Sequence, residues 1–236
     1  NHQPPNTCSG HGIRRHLQSG AVPPRPTGKI RGGRKRPRNP LAPARHGGDW
    51  LHAARNPGAA ECFRYRFEGP PADTASFQAW AHKAAASEDP LFFAIIDKAT
   101  GRAEGRQALM RIDPARGVIE IGHILWGPAI ARTRVTTEAI YLLASYVFET
   151  LGYRRFEWKC NALNEPSRRA AERFGFRFEG IFRNHMVVKG HNSDTAWFAM
   201  TDTDWPDIKQ AFTTWLRAEN FTPDGRQLTK LATTRR

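Results

Sequence analysis

The sequence predicts a mixed α/β fold of the α+β type, in one domain with extensions. The chain has 236 residues, of which 39% are apolar, and this is enough for one sizeable core. Short apolar runs separated by turns are typical of antiparallel strands, and segments of helical period lie between them. No Gly-rich dinucleotide fingerprint and no P-loop accompanies this pattern.

The positive charge is concentrated at the N-terminal end. Residues 1–48 hold ten of the 36 Lys and Arg residues and no Asp or Glu, which leaves 26 basic against 22 acidic residues in the remainder. Residues 1–40 are rich in Pro, Gly and Arg, so we predict a disordered tail there. Its role stays open between a solvated extension, an arm with weak nucleic-acid or ribosome contact, and a transit peptide. We predict the globular domain over 41–221 and a C-terminal tail over 222–236.

Several classes of protein are disfavoured by composition. No apolar run approaches the roughly 18 residues that span a bilayer, and no secretory signal is visible. The three cysteines, Cys8, Cys62 and Cys160, are widely spaced, so neither a disulfide framework nor a metal site is indicated. We therefore expect a cytoplasmic protein with no membrane contact and no metal.

The first half of the domain reads as helices followed by an antiparallel meander. Helices are predicted over 49–54 and over Thr74–Ala86, where four apolar residues recur at helical spacing. Strands are predicted over 91–97, 108–112 and Val118–Trp126. Turns at 100–101 and 113–117 carry Gly and Pro in favoured places.

The second half begins with the clearest helix. Its apolar residues lie at i, i+3, i+4, i+7, i+8 and i+11 from Ile140, Thr136 or Thr137 can cap it, and Gly152 can end it. A strand over 156–160 follows. Asn164 then caps a short helix with Pro166 in its first turn. A hairpin pairs 176–188 with 195–201.

Four stretches of the domain form a recognisable set. They are GVIEIGHILW at 117–126, RTRVTTEA at 132–139, EWKCNALNEPSRRAAERFGFRFEG at 157–180 and VKGHNSDTAWF at 188–198. Together they resemble the GNAT acetyltransferases, in the branch that contains the ribosomal-protein N-terminal acetyltransferases. The resemblance implies a mixed, mostly antiparallel central sheet with helices on both faces. It also implies that the strands over Val118–Trp126 and 156–160 splay apart and admit the pantetheine arm of acetyl-CoA.

The loop before the long helix is the first candidate site. Pyrophosphate requires several unpaired N–H groups that point one way, and a helix N-terminus supplies them. The resemblance places this site at Arg132, Thr133, Arg134, Val135, Thr136 and Thr137. The family pattern is Gln/Arg-x-x-Gly-x-Gly/Ala, and this chain departs from it with Ala131, Arg134 and Thr136 at those positions. Arg132 and Arg134 can add charge-assisted contacts to phosphate. An ordinary capped helix start is the alternative.

The second candidate pair is Asn164 and Ser167. The resemblance implies that Asn164 hydrogen-bonds the pantetheine region and that Ser167 lies near the sulfur and assists the departing thiolate. A purely structural role, as an N-cap and a first-turn residue, is the alternative. Cys160 is expected to pack inside, because no base partner for a covalent route is visible.

The third candidate is Glu120. Amines are mostly protonated at pH 7, so a carboxylate that faces the substrate cleft can act as the base or anchor the ammonium. An ion-paired or solvated strand residue is the alternative. His123, three residues on, faces the opposite side in a regular strand, although the bulge expected from the family alters that.

The sequence thus predicts an acetyl-CoA-dependent N-acetyltransferase that works by direct attack. Glu120 and Ser167 are its predicted catalytic residues. The acceptor is a primary amine, either a protein N-terminus or a small molecule. The alternative is a non-catalytic acyl-CoA-binding module, or an RNA- or ribosome-associated module that uses the basic tail.

Overall fold

The computed structural model describes Gly48, Asp49, Leu51 and residues 63–233. The predicted tail over 1–40 and most of the predicted helix over 49–54 lie outside these residues. The elements are, in chain order, α1 (Thr74–Ala86), β1 (Leu91–Ile96), β2 (Ala103–Asp113), β3 (Val118–Trp126), α2 (Arg134–Ser145), β4 (Arg155–Asn161), α3 (Glu165–Arg173), β5 (Arg177–Val188), β6 (His191–Thr201) and α4 (Trp205–Trp215). A π-helical segment, Tyr146–Thr150, extends α2.

The strands form one six-stranded sheet in the order β1-β2-β3-β4-β6-β5. Neighbouring strands are antiparallel except β3 and β4, which are parallel. The predicted mixed, mostly antiparallel sheet is therefore confirmed. The parallel pair lies at the centre of the sheet, where the chain crosses over through α2.

The two central strands separate part of the way along. They pair over four positions only, from Val118–Arg155 to Ile121–Trp158. Ile121 and Trp158 are buried, whereas the next three residues of each strand, 122–124 and 159–161, are half-buried. These two segments no longer pair with each other, and we call the gap between them the wedge. The predicted splay of the central strands is thus confirmed.

Helices cover both faces of the sheet, as predicted. Phe93 and Leu109 pack in the main core with residues of α2, α3 and α4. Their strand neighbours Phe92 and Ala108 pack against Ala84 of α1 instead. Because side chains alternate along a strand, α1 lies on one face, which we call the α1 face, and the other three helices lie on the α2 face.

Several boundaries differ from the predicted ones. β2 begins at Ala103, five residues before the predicted start, because its first half carries polar side chains that are buried in the fold. β6 begins at His191, within the segment predicted as the hairpin turn. The sequence analysis does not predict α4. Part of the predicted C-terminal tail packs on the domain, since Leu231 is 9% exposed and belongs to the main core.

Candidate active site

The start of α2 offers three main-chain donors close together. Val135, in the first turn, packs in the same cluster as Trp126, the last residue of β3. The N–H groups of Arg132, Arg134 and Thr136 donate to no acceptor among the described residues. We call these three donors the ledge. Unpaired N–H groups at a helix N-terminus, aided by the helix dipole, form an anion site.

The remaining residues of this loop shape the helix start. The N-cap is Thr133, and not Thr136 or Thr137 as predicted, because its Oγ1 accepts from the Val135 N–H at 3.2 Å. The Thr137 N–H donates to the Thr133 carbonyl at 3.5 Å. The Thr137 Oγ1 accepts from Arg173 Nη1 at 3.1 Å, which ties α3 to the start of α2. The side chains of Thr133 and Thr137 therefore hold the ledge in place.

The Arg134 side chain contacts the C-terminal end of α4 and the segment after it. Arg134 Nη2 donates to the Leu216 carbonyl at 2.6 Å, and its guanidinium carbon lies 4.8 Å from the centre of the Phe221 ring. Arg132 is exposed and has a φ of 62°. A residue with a side chain pays roughly 1–2 kcal/mol for this left-handed conformation, which glycine adopts freely. Arg132 thus adopts this conformation at a position that the family pattern leaves open, whereas Arg134 and Thr136, at the glycine positions of that pattern, lie in the first turn of α2.

Two buried polar atoms beside the wedge lack partners in the part of the chain that the structure describes. They are Trp126 Nε1 and Gln107 Oε1. Gln107 is fully buried, and its Nε2 donates to the Ala139 carbonyl of α2 at 3.4 Å. A buried polar atom left unpaired costs about 1–3 kcal/mol. A ligand arm with amide groups in the wedge can supply the missing partners, so the site fits a diphosphate joined to such an arm.

A β-bulge in β3 changes which way its side chains point. Ala108 pairs with Gly122 and Arg106 pairs with Leu125, so two residues of β3 stand opposite one residue of β2. His123 sits in this bulge with a φ of 49°. Bulges re-aim side chains, and the bulge brings His123 to the α1 face, the face on which Glu120 lies.

The environment of His123 keeps its imidazole neutral. The ring centre lies 5.1 Å from that of Phe92, on the α1 face. Burial, which is the largest cause, and the nearby charges of Arg106, Arg66 and Arg111 together lower the pKa of His123 to about 4. At neutral pH the imidazole is therefore uncharged, and His123 adds no positive charge to the α1 face.

Glu120 has one carboxylate oxygen bound and one free. Its side chain is 5% exposed, and its Oε2 accepts from Arg111 Nη1 at 2.6 Å and contacts Lys159 Nζ at 3.0 Å. Its Oε1 accepts no hydrogen bond from residues 63–233. This oxygen lies 3.8 Å from where a Cβ on Gly122 would be, and such a Cβ would also clash with the sulfur of Met110. Gly122 is the first residue of β3 that no longer pairs with β4, so the free oxygen lies beside the opening of the wedge.

A chain of ion pairs holds Glu120 from the β4 side. Lys159 Nζ is 2.8 Å from Glu157 Oε2 and 3.8 Å from the centre of the Trp197 ring. Burial opposes ionisation of Glu157, but the hydrogen bonds from Lys159 and Arg155 lower the pKa of its carboxyl. Lys159 is 9% exposed, so a buried cation fixes Glu120 and Glu157 together.

Ser167 lies on the other side of the sheet. Its Oγ accepts from Trp158 Nε1 at 3.0 Å. Trp158 is the last residue of β4 that pairs with β3, and it lies in the main core on the α2 face. Burial raises the pKa of the nearby Cys160 thiol and outweighs the hydrogen bond from Ser167. Cys160 is thus a neutral thiol, as expected for a packed side chain.

Asn164 caps α3 as predicted. Its Oδ1 accepts from the Ser167 N–H at 3.3 Å. Its Nδ2 donates to no acceptor within the described ranges, and the residue is half-buried. The capping role therefore leaves the amide nitrogen available to a ligand.

Sequence reasoning named Glu120, Ser167 and Asn164 but missed their partners. Arg111 and Lys159 reach Glu120 from two other strands. Trp126 and Trp158 were assigned to the core only. No pattern within one segment reveals these contacts, because they depend on which strands are neighbours.

The described part of the chain shows neither a candidate metal site nor a helix that could cross a membrane. Within it, no group of three or more His, Cys, Asp and Glu side chains is placed to hold a metal ion. Among the helices there, none has the length and hydropathy required to cross a membrane.

Comparison with known proteins adds a family match. The profile of the acetyltransferase (GNAT) domain matches residues 43–177. The solved structure of a GCN5-related N-acetyltransferase from Brucella melitensis is 56% identical, with a TM-score of 0.87, and the match covers 91% of this chain and 97% of that chain.

Two Bacillus proteins are more distant relatives. N-acetyltransferase p20 of Bacillus licheniformis, itself uncharacterized, is 31% identical over 117 residues, 48% of this chain. The chain spans 63% of the length of that relative. YdaF of Bacillus subtilis, named as a candidate ribosomal N-acetyltransferase, is 26% identical over 162 residues, which are 69% of this chain and 81% of that protein.

Proposed function

Because the chain belongs to the GNAT acetyltransferase family, we propose that it transfers the acetyl group of acetyl-CoA to a primary amine by direct attack. One observation carries the proposal. Glu120 and Ser167 lie on opposite faces of the sheet, at the level where β3 and β4 separate. An amine that arrives from the α1 face meets a carboxylate, and a thiolate that leaves toward the α2 face meets a hydroxyl.

The ledge and the wedge are the proposed binding site of acetyl-CoA, which supplies an activated acetyl thioester. The N–H groups of Arg132, Arg134 and Thr136 are assigned to the diphosphate. Past Ile121, β3 no longer pairs with β4, so its main-chain groups on that side are open to a ligand. A main-chain N–H of this segment is the proposed donor to the carbonyl oxygen, and the Asn164 amide is a further donor.

Glu120 is proposed to take up the proton of the amine. An α-amino group has a pKa of about 8 and a Lys amine about 10.4, so both are protonated at pH 7. Only the neutral amine attacks a thioester. Lys159 and Arg111 hold Oε2 of Glu120, which aims the free Oε1 at the opening of the wedge. Such a base contributes about 10²–10⁴ in rate.

Ser167 is proposed to stabilise the departing sulfur. Its Oγ already accepts the Trp158 indole N–H, so its own hydroxyl hydrogen, which also reaches the Cys160 thiol, can turn toward another acceptor. The Ser167 N–H is taken by Asn164, which fixes the hydroxyl at the start of α3. The sulfur thereby receives a hydrogen bond as negative charge develops on it.

The proposed acceptor is a protein N-terminus or a small primary amine. The naming of YdaF as a ribosomal N-acetyltransferase supports the protein N-terminus. The proposed catalytic domain begins at 41, with the basic segment 1–40 outside it, and it includes Leu231 of the predicted C-terminal tail, which packs in the main core.

The test is made on the full chain. We expect acetyl-CoA to raise the melting temperature, and a panel of primary amines to release free thiol from acetyl-CoA. A rise in melting temperature without thiol release from any amine would support a non-catalytic acyl-CoA-binding module. No rise, together with salt-sensitive RNA binding that is lost on removal of 1–40, would contradict the proposal.

A further inference from the structure

Resting on the acetyl transfer proposed above, we infer the class of the acceptor. We propose that it is a primary amine with an aromatic or large apolar group, and that this group lies on an aromatic surface beside Glu120. The surface, which we call the shelf, consists of Phe182, His185 and Trp197.

The shelf is a packed group of rings on β5 and β6. The ring centres of Phe182 and Trp197 are 4.5 Å apart, and His185 lies 5.6 Å from Phe182 and 6.1 Å from Trp197. A hydrogen bond of 2.8 Å between His185 Nδ1 and Thr195 Oγ1 holds the imidazole. Phe182 is nevertheless 52% exposed. Aromatic side chains bury large apolar areas and pack on other rings, so an exposed ring held in place by a second ring can receive an aromatic or apolar group of a ligand.

The shelf adjoins the proposed catalytic carboxylate. Trp197 pairs directly with Lys159 in the sheet, and the Lys159 ammonium lies between the Trp197 ring, at 3.8 Å, and Glu120 Oε2, at 3.0 Å. Glu120 aligns with Glu157 and, through it, with Ala199, so Trp197 lies two strands across and two residues along the sheet, or about 12 Å away at the usual spacings. An amine nitrogen at Glu120 and an aromatic group on the shelf therefore fit in one acceptor.

The charges of this face argue against a polycation. A polyamine needs several unpaired carboxylates, one for each ammonium. Near the shelf, Glu120 binds Arg111 and Lys159, Glu157 binds Lys159 and Arg155, and Glu179 binds Arg155 at 2.5 Å. Each of these three carboxylates is thus neutralised by the chain's own cations. The site offers one free carboxylate oxygen, on Glu120, which suits a single amine.

The test compares three amines with the full-length protein: 4-phenylbutylamine, n-butylamine and spermidine. We expect kcat/KM for 4-phenylbutylamine to exceed that for n-butylamine at least about tenfold, or about 1.4 kcal/mol, and spermidine to be the poorest. Phe182→Ala should bring the first two amines close to parity. It should leave the affinity for acetyl-CoA unchanged, because Phe182 lies on the edge strand β5, whereas the wedge lies between β3 and β4 and the ledge belongs to α2.

The matched control is Phe178→Ala. Phe178 is 46% exposed on the same strand, but it packs on Phe198, a main-core residue, and so lies toward the α2 face. The Phe178→Ala protein should prefer 4-phenylbutylamine over n-butylamine as the parent does. A parent that prefers spermidine, or a Phe182→Ala protein with unchanged preference, would overturn the acceptor class alone. A protein that binds acetyl-CoA but acetylates no amine would overturn the proposed function as well.

Discussion

Replacement of Glu120 by glutamine is expected to lower kcat by a factor of about 10²–10⁴ and to leave the affinity for acetyl-CoA unchanged. Glutamine keeps the shape of the side chain but cannot accept the proton of the amine. Glu120 lies on the α1 face, whereas the ledge belongs to α2, so the binding of acetyl-CoA does not depend on it. Steady-state kinetics with the best amine and calorimetric titration with acetyl-CoA measure the two effects separately.

Folding must be checked in the same variant. Lys159 keeps Glu157 as a partner at 2.8 Å when Glu120 loses its charge, so the cation is not left unpaired. The control is Glu149→Gln, because Glu149 contacts Lys209 and Trp205 away from the wedge. If the Glu120→Gln protein turns over like the parent between pH 6 and pH 9, the assignment of the base is wrong.

Replacement of Arg134 by proline is expected to weaken the binding of acetyl-CoA by about 10–100-fold relative to replacement by alanine. Both changes remove the guanidinium, with its contacts to Leu216 and Phe221. Only proline also removes the Arg134 N–H from the ledge. A hydrogen bond to a charged group contributes about 1.5–3 kcal/mol, which accounts for the expected factor.

The local backbone accommodates proline at this position. Arg134 is the first residue of α2, where proline is favoured, and the preceding Thr133 is extended, with a ψ of 176°, as a residue before proline requires. Melting temperatures of the two variants should therefore be similar. Calorimetric titration gives the dissociation constants, and equal values for proline and alanine would show that this N–H does not bind the diphosphate.

The elements that were predicted correctly have a pattern of apolar residues that can be recognised within one segment of the sequence. The strand over Val118–Trp126 and the helix over Thr74–Ala86 were predicted with the bounds that the structure shows. Helix α4 was missed, although Trp205, Ile208, Phe212 and Trp215 are buried at helical spacing. The start of β2 was not recognisable as a strand, because Arg106 is buried there by Glu68 and Trp80, which lie far away in sequence.

In the candidate site, too, some features could be predicted from one segment of sequence and others could not. The positions of Glu120, Ser167 and Asn164 could be proposed from sequence, because a resemblance to known motifs carries them. The side to which His123 points could not be worked out from the spacing alone, because the bulge opposite β2 changes the alternation. The ion pairs of Glu120 also lay beyond the sequence, since Arg111 and Lys159 become its neighbours only when three strands align.

The most direct test of this account is amide hydrogen exchange, residue by residue, in the full chain with and without acetyl-CoA. We predict slower exchange at the N–H groups of Arg132, Arg134 and Thr136, where no described acceptor is present, and along residues 122–125 of β3. If acetyl-CoA binds but amide exchange slows neither at the ledge nor along this strand, the proposed binding site is contradicted.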